Sequence, residues 1–407
     1  MKLTNLFFAL MALSSPITAQ LTMLHHIENL GGLAREPMLV EHPSGTLFLA
    51  GYGSQITGTD WTAPPLLWRS DDGGNSWFAV DVGTSEQGAQ GNSDVDLAVG
   101  PDGTIYYITM GFNRQTARGT QISIGVSRDV GHSWVWHRLS TTEGDDRPWV
   151  AVSPENIAHA VWNDGKGVRH FTSEDSGQTW QELDRVNDKG GASHLAVGPG
   201  GLVAVRIGPV SASGQKLDAG VDVVAVSRDS GRTWTRHEAP AKLRWYPFEA
   251  GEPAVPRWVE PVAWGSDGKL YSLWSEGKSM WLGWSDDYGV SWTKQTISTQ
   301  AGTAFYPFLK AGSARDLAAS WFVSNNSELT AHLALIRPEA SAISIKLSDA
   351  FTPLSWADTT EQRAPDAAGE YFPVIFLSNG NLGAATPIQD AENQRYGFTW
   401  WEFQVIQ

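Results

Sequence analysis

One eight-residue pattern, Ser-x-Asp-x-Gly-x-Ser/Thr-Trp, occurs five times and constrains the fold more than any other feature of the sequence. The copies occupy residues 70–77, 127–134, 173–180, 227–234 and 285–292. Successive copies begin 57, 46, 54 and 58 residues apart. A repeat of this length is too small to bury its own apolar face, so it predicts blades or solenoid turns that stack on their neighbours.

The residues of this repeat predict a tight turn between two strands. Aspartate accepts hydrogen bonds from nearby backbone N–H groups, and glycine supplies a positive φ. The tryptophan that follows is large enough to fill the space between neighbouring sheets. Segments before the turns, such as 121–126 and 221–226, alternate in the manner of strands. Each copy therefore predicts a hairpin that a tryptophan fixes against an adjacent sheet.

The repeat resembles the Asp box of the sialidase-like β-propellers. That resemblance covers most of the chain in architecture but only a few positions in motif. It implies an all-β fold of radial, four-stranded antiparallel blades, with the boxes on the rim and the ligand site elsewhere. Aromatic and glycine richness, with 20 Trp and 42 Gly, suits such repeated hairpins.

A second repeat sets the predicted number of blades. It consists of a short apolar strand, a turn and another apolar strand, and it occurs at 38–50, 95–107, 149–162, 195–205, 262–274, 308–321 and 374–384. Seven units of roughly 55 residues make comfortable four-stranded blades. We therefore predict a seven-bladed β-propeller over residues 20–407. The alternative is a six-bladed propeller of the sialidase type, with one unit as an insertion. We expect residues 20–30 and 396–403 to share a blade and to close the ring.

The ends and the charge of the chain bear on its location and partners. Residues 1–19 have the charged start, short apolar core and small-residue cleavage site of a secretory signal, whose alternative is an uncleaved anchor. We predict a secreted monomer, extracellular or periplasmic, that is free of the membrane once the signal is removed. The net charge of −15 makes nucleic acid and anionic membranes poor partners. The absence of Cys is compatible with an oxidising compartment.

Polar residues open the first strand of nearly every unit, which in a propeller lines the central channel. We predict that they form a ligand site at one mouth of that channel. The predicted substrate-binding residues are Arg35, Glu36, Asp94, Asp146, Arg147, His194 and Tyr371. Proline follows Glu36, Arg147, Glu260 and Tyr306, which favours extended geometry at each of these four. The alternative is a water-filled channel with mutual ion pairs, in which residues 145–147 form a local salt-bridge cluster and His194 is a packed histidine.

The sialidase resemblance also implies catalytic roles. Arg35, in Arg35-Glu36-Pro37, takes the place of the family's first substrate-binding arginine, and Asp60 that of its acid/base. Glu260 corresponds to the glutamate that polarises the nucleophile, and Tyr306 to the tyrosine nucleophile itself. The family's other two arginines have no counterpart, because residues 261–305 contain no Arg. Arg147 and Arg206 are candidates to replace them.

Three functions follow from this sequence. The first is a carbohydrate-active enzyme, either a sialidase-like glycoside hydrolase using Asp60, Glu260 and Tyr306, or a lyase in which His194 or a tyrosine removes a proton. The second is a non-catalytic propeller that binds a glycan or a protein, with Trp61, Trp68, Trp245 and Trp258 as stacking surfaces. The third is a structural or assembly propeller. We predict neither a metal nor a cofactor, because no zinc-protease, hydrolase-elbow or phosphate-loop motif occurs and the pair Asp94 and Asp96 offers too few oxygens for Ca²⁺.

Overall fold

The chain is described here by a computed structural model, which defines residues 21–29, 33–53, 63–208, 222–241, 260–325, 328–339, 343–352, 371–390 and 395–406. The regular secondary structure of these residues consists of β-strands and one three-residue 3₁₀ helix at Ser85–Gln87, and turns and loops connect the strands. No helix in this part of the chain has both the length and the apolarity needed to cross a membrane.

The strands form seven four-stranded antiparallel sheets, each of which is one blade. Blade 1 contains β2 (Leu33–Glu41), β3 (Leu47–Gly53), β4 (Leu66–Ser70) and β5 (Phe78–Ala79). Blade 2 contains β6 (Val95–Val99), β7 (Ile105–Asn113), β8 (Arg118–Ser127) and β9 (Val135–Ser140). Blade 3 contains β10 (Asp146–Val152), β11 (Ala158–Asn163), β12 (Val168–Ser173) and β13 (Gln181–Glu182). Blade 4 contains β14 (Gly191–Val197), β15 (Val203–Gly208), β16 (Val223–Ser227) and β17 (Thr235–Glu238). Blade 5 contains β18 (Val262–Trp264), β19 (Leu270–Glu276), β20 (Ser279–Ser285) and β21 (Thr293–Thr299). Blade 6 contains β22 (Thr303–Ala311), β23 (Leu317–Asn325), β24 (Glu328–Pro338) and β25 (Ile343–Leu347).

The seventh blade closes the ring, as the sequence predicts. It combines three strands from the C-terminal end, β26 (Val374–Phe376), β27 (Leu382–Asp390) and β28 (Arg395–Val405), with the N-terminal strand β1 (Leu21–Asn29) on its outer edge. Strand β1 pairs with β28 from Leu21 opposite Val405 to Asn29 opposite Phe398. The seven-bladed prediction is therefore confirmed, and the six-bladed alternative is wrong.

Every inner strand ends in the same tight turn, which gives the seven blades a common register. In each turn the backbone N–H of the first residue donates to the carbonyl four residues later. The first residues of the seven turns are His42, Gly100, Ser153, Gly198, Gly265, Gly312 and Leu377. The inner strands β2, β6, β10, β14, β18, β22 and β26 contact one another in this order around the axis. Positions counted back from the turns therefore define layers along the channel.

The five repeated turns have one hydrogen-bonding pattern, shown by the first copy. The Asp72 carboxylate accepts the Ser70 hydroxyl (2.8 Å), the Ser76 backbone N–H (2.8 Å) and the Ser76 hydroxyl (2.6 Å). The Gly74 N–H donates to the Ser70 hydroxyl oxygen at 2.8 Å. Chiefly because of the Ser76 hydroxyl bond, which outweighs the effect of burial, the pKa of Asp72 lies below its ordinary value. The predicted turn chemistry is present in full.

The tryptophans and glycines of these turns join neighbouring blades. The Trp77 ring of blade 1 packs edge-on against Phe398 of blade 7, and the Trp234 ring of blade 4 against His170 of blade 3. Gly231 has a φ of +81° and lies so close to His170 that an added Cβ would come within 2.1 Å of the imidazole. Each turn therefore holds its own hairpin and also seals an interface with the preceding blade.

Candidate functional site at the channel mouth

Five predicted site residues occupy the same position in five different blades. Each lies six residues before the first residue of its inner-strand turn; they are Glu36, Asp94, Arg147, Tyr306 and Tyr371. Because the inner strands share one register, these residues form a layer around the axis, which we call the mouth layer. Glu36, Arg147, Tyr306 and Tyr371 are buried, and Asp94 is half-buried. The structure therefore brings these residues to one end of the channel.

Three residues of the mouth layer have a backbone conformation that the sequence did not predict. Glu36, Arg147 and Tyr306 have φ values of +53°, +53° and +48°, in the left-handed region. The expectation of extended geometry before proline is wrong for these three. The strand pairing of β2, β10 and β22 also shifts at these points, as in a β-bulge. Left-handed geometry costs a non-glycine residue about 1–3 kcal/mol, and such strain concentrates at functional sites.

An aromatic layer lies directly below the mouth. Trp149, His194 and Phe308 each lie four residues before a turn. The Trp149 ring centroid is 5.0 Å from that of His194 and 5.2 Å from that of Tyr371, and His194 is 5.6 Å from Phe308. Blades 3 and 7 are not neighbours, and neither are blades 4 and 6, so these contacts cross the axis. The rings occupy the channel at this level, which the sequence analysis did not predict.

His194 is therefore a packed histidine rather than an exposed general base. Burial, reinforced by the charge of Lys310, lowers its pKa to about 3. The imidazole is neutral at physiological pH. Its position between Trp149 and Phe308 favours the packed-histidine alternative.

Asp96, which lies in the aromatic layer, connects blade 2 to blade 3 by a hydrogen bond. Its carboxylate accepts the backbone N–H of Leu97 at 2.8 Å and that of Val150 at 2.9 Å. Burial raises its pKa to about 7, although the two N–H groups and the Lys310 charge act in the opposite direction. Asp96 thus has a structural partner in the neighbouring blade.

Glu260 lies in a buried ion-pair network between blades 4 and 5. The guanidinium of Arg206, which is fully buried, donates from Nη2 to Glu260 Oε2 at 2.8 Å and also to Asp222. Burial by itself would lower the pKa of Arg206, but the two carboxylates raise it above its ordinary value. The backbone N–H of Glu260 donates to the Ser193 hydroxyl oxygen at 2.7 Å. Arg206 is engaged within the protein, so its proposed role as a substitute grip for a substrate anion is wrong.

The remaining mouth residues have partners that fix their positions. Tyr52 donates its hydroxyl to Glu36 Oε1 at 3.0 Å. Arg147 Nε lies 3.9 Å from Asp146 Oδ2, a long ion pair. Asp145 instead accepts the Trp162 indole N–H at 3.0 Å, so the cluster expected at 145–147 is divided.

Several sequence predictions fall on parts of the chain outside the described residues. These are Asp60, the side chain of Arg35, and Trp61, Trp245 and Trp258. Trp68 is described and is buried in an interblade core with Leu39 and Phe398, so it offers no stacking surface to a ligand. Among the described residues, no group of three or more His, Asp or Glu side chains is arranged to hold a metal ion.

The site residues that sequence reasoning missed share a simple signal. Trp149 and Phe308 stand two residues after Arg147 and Tyr306, at the fixed distance of four from the turn. Counting backwards from the seven turns would have placed both in the channel. The pairing of Arg206 with Glu260 has no such signal, because it joins different blades.

Solved structures share this architecture. A protein of unknown function from Dyadobacter fermentans DSM 18053 matches with a TM-score of 0.53 and 12% identity, over 95% of this chain and 99% of that one. YCF48 from Cyanidioschyzon merolae matches with a TM-score of 0.52 and 10% identity, over 93% of this chain and 98% of that one. An ancestral GH74 enzyme matches with a TM-score of 0.50 and 13% identity, over 93% of this chain but 47% of that enzyme.

The chain has the β-propeller fold. At these identities the likeness extends to fold alone. No protein-family model matches the sequence, and a search of curated proteins finds no match. Function must therefore be argued from the site.

Proposed function

We propose that the protein is a secreted carbohydrate-active β-propeller that binds a glycan at the mouth layer and acts on it as a glycoside hydrolase or lyase. One observation carries the proposal: three non-glycine residues from three blades, Glu36, Arg147 and Tyr306, have strained left-handed backbones in one layer. Seven other described non-glycine residues also have positive φ, but those lie in turns, whereas these three lie within inner strands. A ligand site is where such strain is expected.

The chemistry of the mouth layer suits a sugar. Carboxylates accept hydrogen bonds from hydroxyl groups, and a guanidinium binds a carboxylate through a planar pair of donors. Arg147 is thus the described residue suited to a sialic or uronic acid. In a hydrolase, Tyr306 would act as the nucleophile and Asp60 as the acid. The shared fold of an ancestral GH74 enzyme makes an enzyme of this architecture reasonable.

A second candidate is a propeller that binds a glycan or protein without catalysis, and the Arg206–Glu260 pair favours it. That ion pair gives Glu260 a structural partner, and a carboxylate oxygen that already accepts from a buried guanidinium is less available to a phenol. If the protein only binds, Tyr306 contributes a hydrogen bond and no covalent chemistry.

The test is binding and turnover on a panel of sialosides and uronic-acid glycans. Reducing ends report hydrolysis, and the absorbance of an unsaturated uronate reports a lyase. Tyr306→Phe should lower turnover at least about 100-fold and leave binding within a few fold, because only the hydroxyl is removed. Tyr288→Phe, on a repeated turn at the opposite face, is the matched control and should behave as wild type. Binding without turnover would establish the second candidate. If no glycan binds, the proposal is wrong.

A further inference from the structure

The channel contains a lysine that does not belong to the mouth layer. Lys310 lies on the inner strand β22, two residues before its turn and therefore below the aromatic layer. Its side chain is exposed to solvent, although the blades enclose the channel on every side. The rings above it occupy the axis, so solvent reaches Lys310 from the face that carries the turns.

Small side chains occupy most of the other positions in the layer that contains Lys310. The equivalent positions, two residues before each turn, are Ala98, Ala151, Ala196 and Ala263 in four of the other six blades, with Val40 and Ile375 in the remaining two. A methyl side chain extends less far from the backbone than a longer side chain would. Among the residues of this layer, Lys310 is the one with a long cationic side chain, and the aromatic layer lies above it.

The charge of Lys310 is not neutralised by a nearby carboxylate among the described residues. No ion pair joins it to an acid there, and Asp96 interacts with it only at longer range. Both oxygens of Asp96 already accept backbone N–H groups. Enclosure by protein lowers the pKa of Lys310, and Asp96 offsets part of that effect. Solvent reaches this lysine, but the surrounding protein walls focus its electrostatic field, so it attracts a small anion more strongly than a lysine at an open surface does.

We propose that this lower part of the channel binds a small oxyanion, a carboxylate or a phosphate, with Lys310 as its principal ligand. The site is separated from the mouth layer by the aromatic layer. Its existence therefore does not depend on the function proposed for the mouth, and the glycan assays do not test it.

The first experiment is calorimetric titration of the full chain with sodium phosphate and, separately, with sodium acetate, at constant ionic strength. Wild type should bind one equivalent of at least one of these anions, and comparison of the two identifies the preferred class. Lys310→Met should weaken that affinity at least about tenfold, a change of about 1.4 kcal/mol. The matched control Lys278→Met removes an exposed lysine from a surface turn and should bind as wild type does. Absence of binding of both anions, or unchanged affinity in Lys310→Met, overturns the proposal.

The second experiment uses wild type alone, so it stands even if Lys310→Met does not fold. Lysines are reductively methylated with formaldehyde and dimethylamine–borane, reagents that release neither acetate nor phosphate, with and without the anion that binds, and the rate at each lysine is read by peptide mass spectrometry. The anion should slow modification of Lys310 several fold and leave Lys278 unchanged. Equal rates at Lys310 with and without the anion also overturn the proposal.

Discussion

Replacing Arg206 by methionine tests the ion-pair network between blades 4 and 5. Arg206 is fully buried and Glu260 is 2% exposed, so the substitution leaves a carboxylate without its guanidinium in a site that water barely reaches. Breaking a buried pair in this way costs about 3–5 kcal/mol of folding free energy. The side chain of Asp222 is 25% exposed and remains partly solvated, so Glu260 carries most of that cost.

The expected change in melting temperature follows from the size of the chain. Unfolding entropy is about 2.1 cal/mol/K per residue, or about 0.8 kcal/mol/K for a protein of this length. A loss of 3–5 kcal/mol therefore lowers the melting temperature by about 4–6 °C. Urea denaturation and calorimetry of the variant measure the free energy and the temperature separately.

Two further variants distinguish this explanation from simple loss of packing. Arg206→Met combined with Glu260→Gln removes both charges and should be more stable than the sum of the single changes by about 1–3 kcal/mol. Arg232→Met breaks an exposed pair with Glu174 and should cost at most about 1 kcal/mol. A cost below about 1 kcal/mol for Arg206→Met, or strict additivity in the double variant, would refute the reasoning. Glu260→Gln alone should also lower stability, because it removes the charge that pairs with Arg206.

Three other predictions address the turns and one buried histidine, His332. Asp287→Ala removes the acceptor of three hydrogen bonds in the fifth repeated turn. Its melting temperature should therefore be lower than that of the control Asp286→Ala, which loses only an exposed ion pair with Lys269. Equal melting temperatures of the two variants would contradict the stabilising role of the turn. Gly231→Ala and Gly268→Ala share the same backbone strain, at φ +81° and +79°, but only Gly231 faces a neighbouring blade. The unfolding free energy of Gly231→Ala in urea should therefore be about 1–3 kcal/mol lower than that of Gly268→Ala. Similar urea midpoints for the two variants would show that the interface accommodates the added methyl group without cost. Burial lowers the pKa of His332 to about 4, so the unfolded chain takes up a proton there that the folded protein does not, and stability should fall as pH drops from about 6.5 toward 4. His332→Gln should flatten the urea midpoint over that range, and an unchanged slope would exclude His332 as a cause.

Much of the architecture follows from local sequence chemistry. The turn at residues 70–77 forms because its aspartate, serines and glycine are all within eight residues of one another. The strand–turn–strand units then repeat at a spacing that suits seven blades. The closure of β1 on β28 follows because an unpaired strand edge at each end of the chain is unfavourable.

The channel could be predicted only in part. Glu36, Asp94, Arg147, Tyr306 and Tyr371 were predicted as mouth residues, and the shared register places all five at one level. The left-handed backbones of Glu36, Arg147 and Tyr306 were not predicted. Proline disfavours this conformation for the preceding residue on average, but the tertiary structure determines the conformation at each site. Their roles in binding or catalysis remain predictions.

The sequence by itself determined the turns, the number of blades and the partner of the first strand, since each depends on residues that are close in the chain or repeated along it. Only the tertiary structure decided that Arg206 pairs with Glu260, that Trp149 and Phe308 occupy the axis, and that Lys310 lies below them with its side chain exposed. These are contacts between blades 50 or more residues apart in most cases. Their energies depend on burial and on charges brought together by ring closure, which no local pattern encodes.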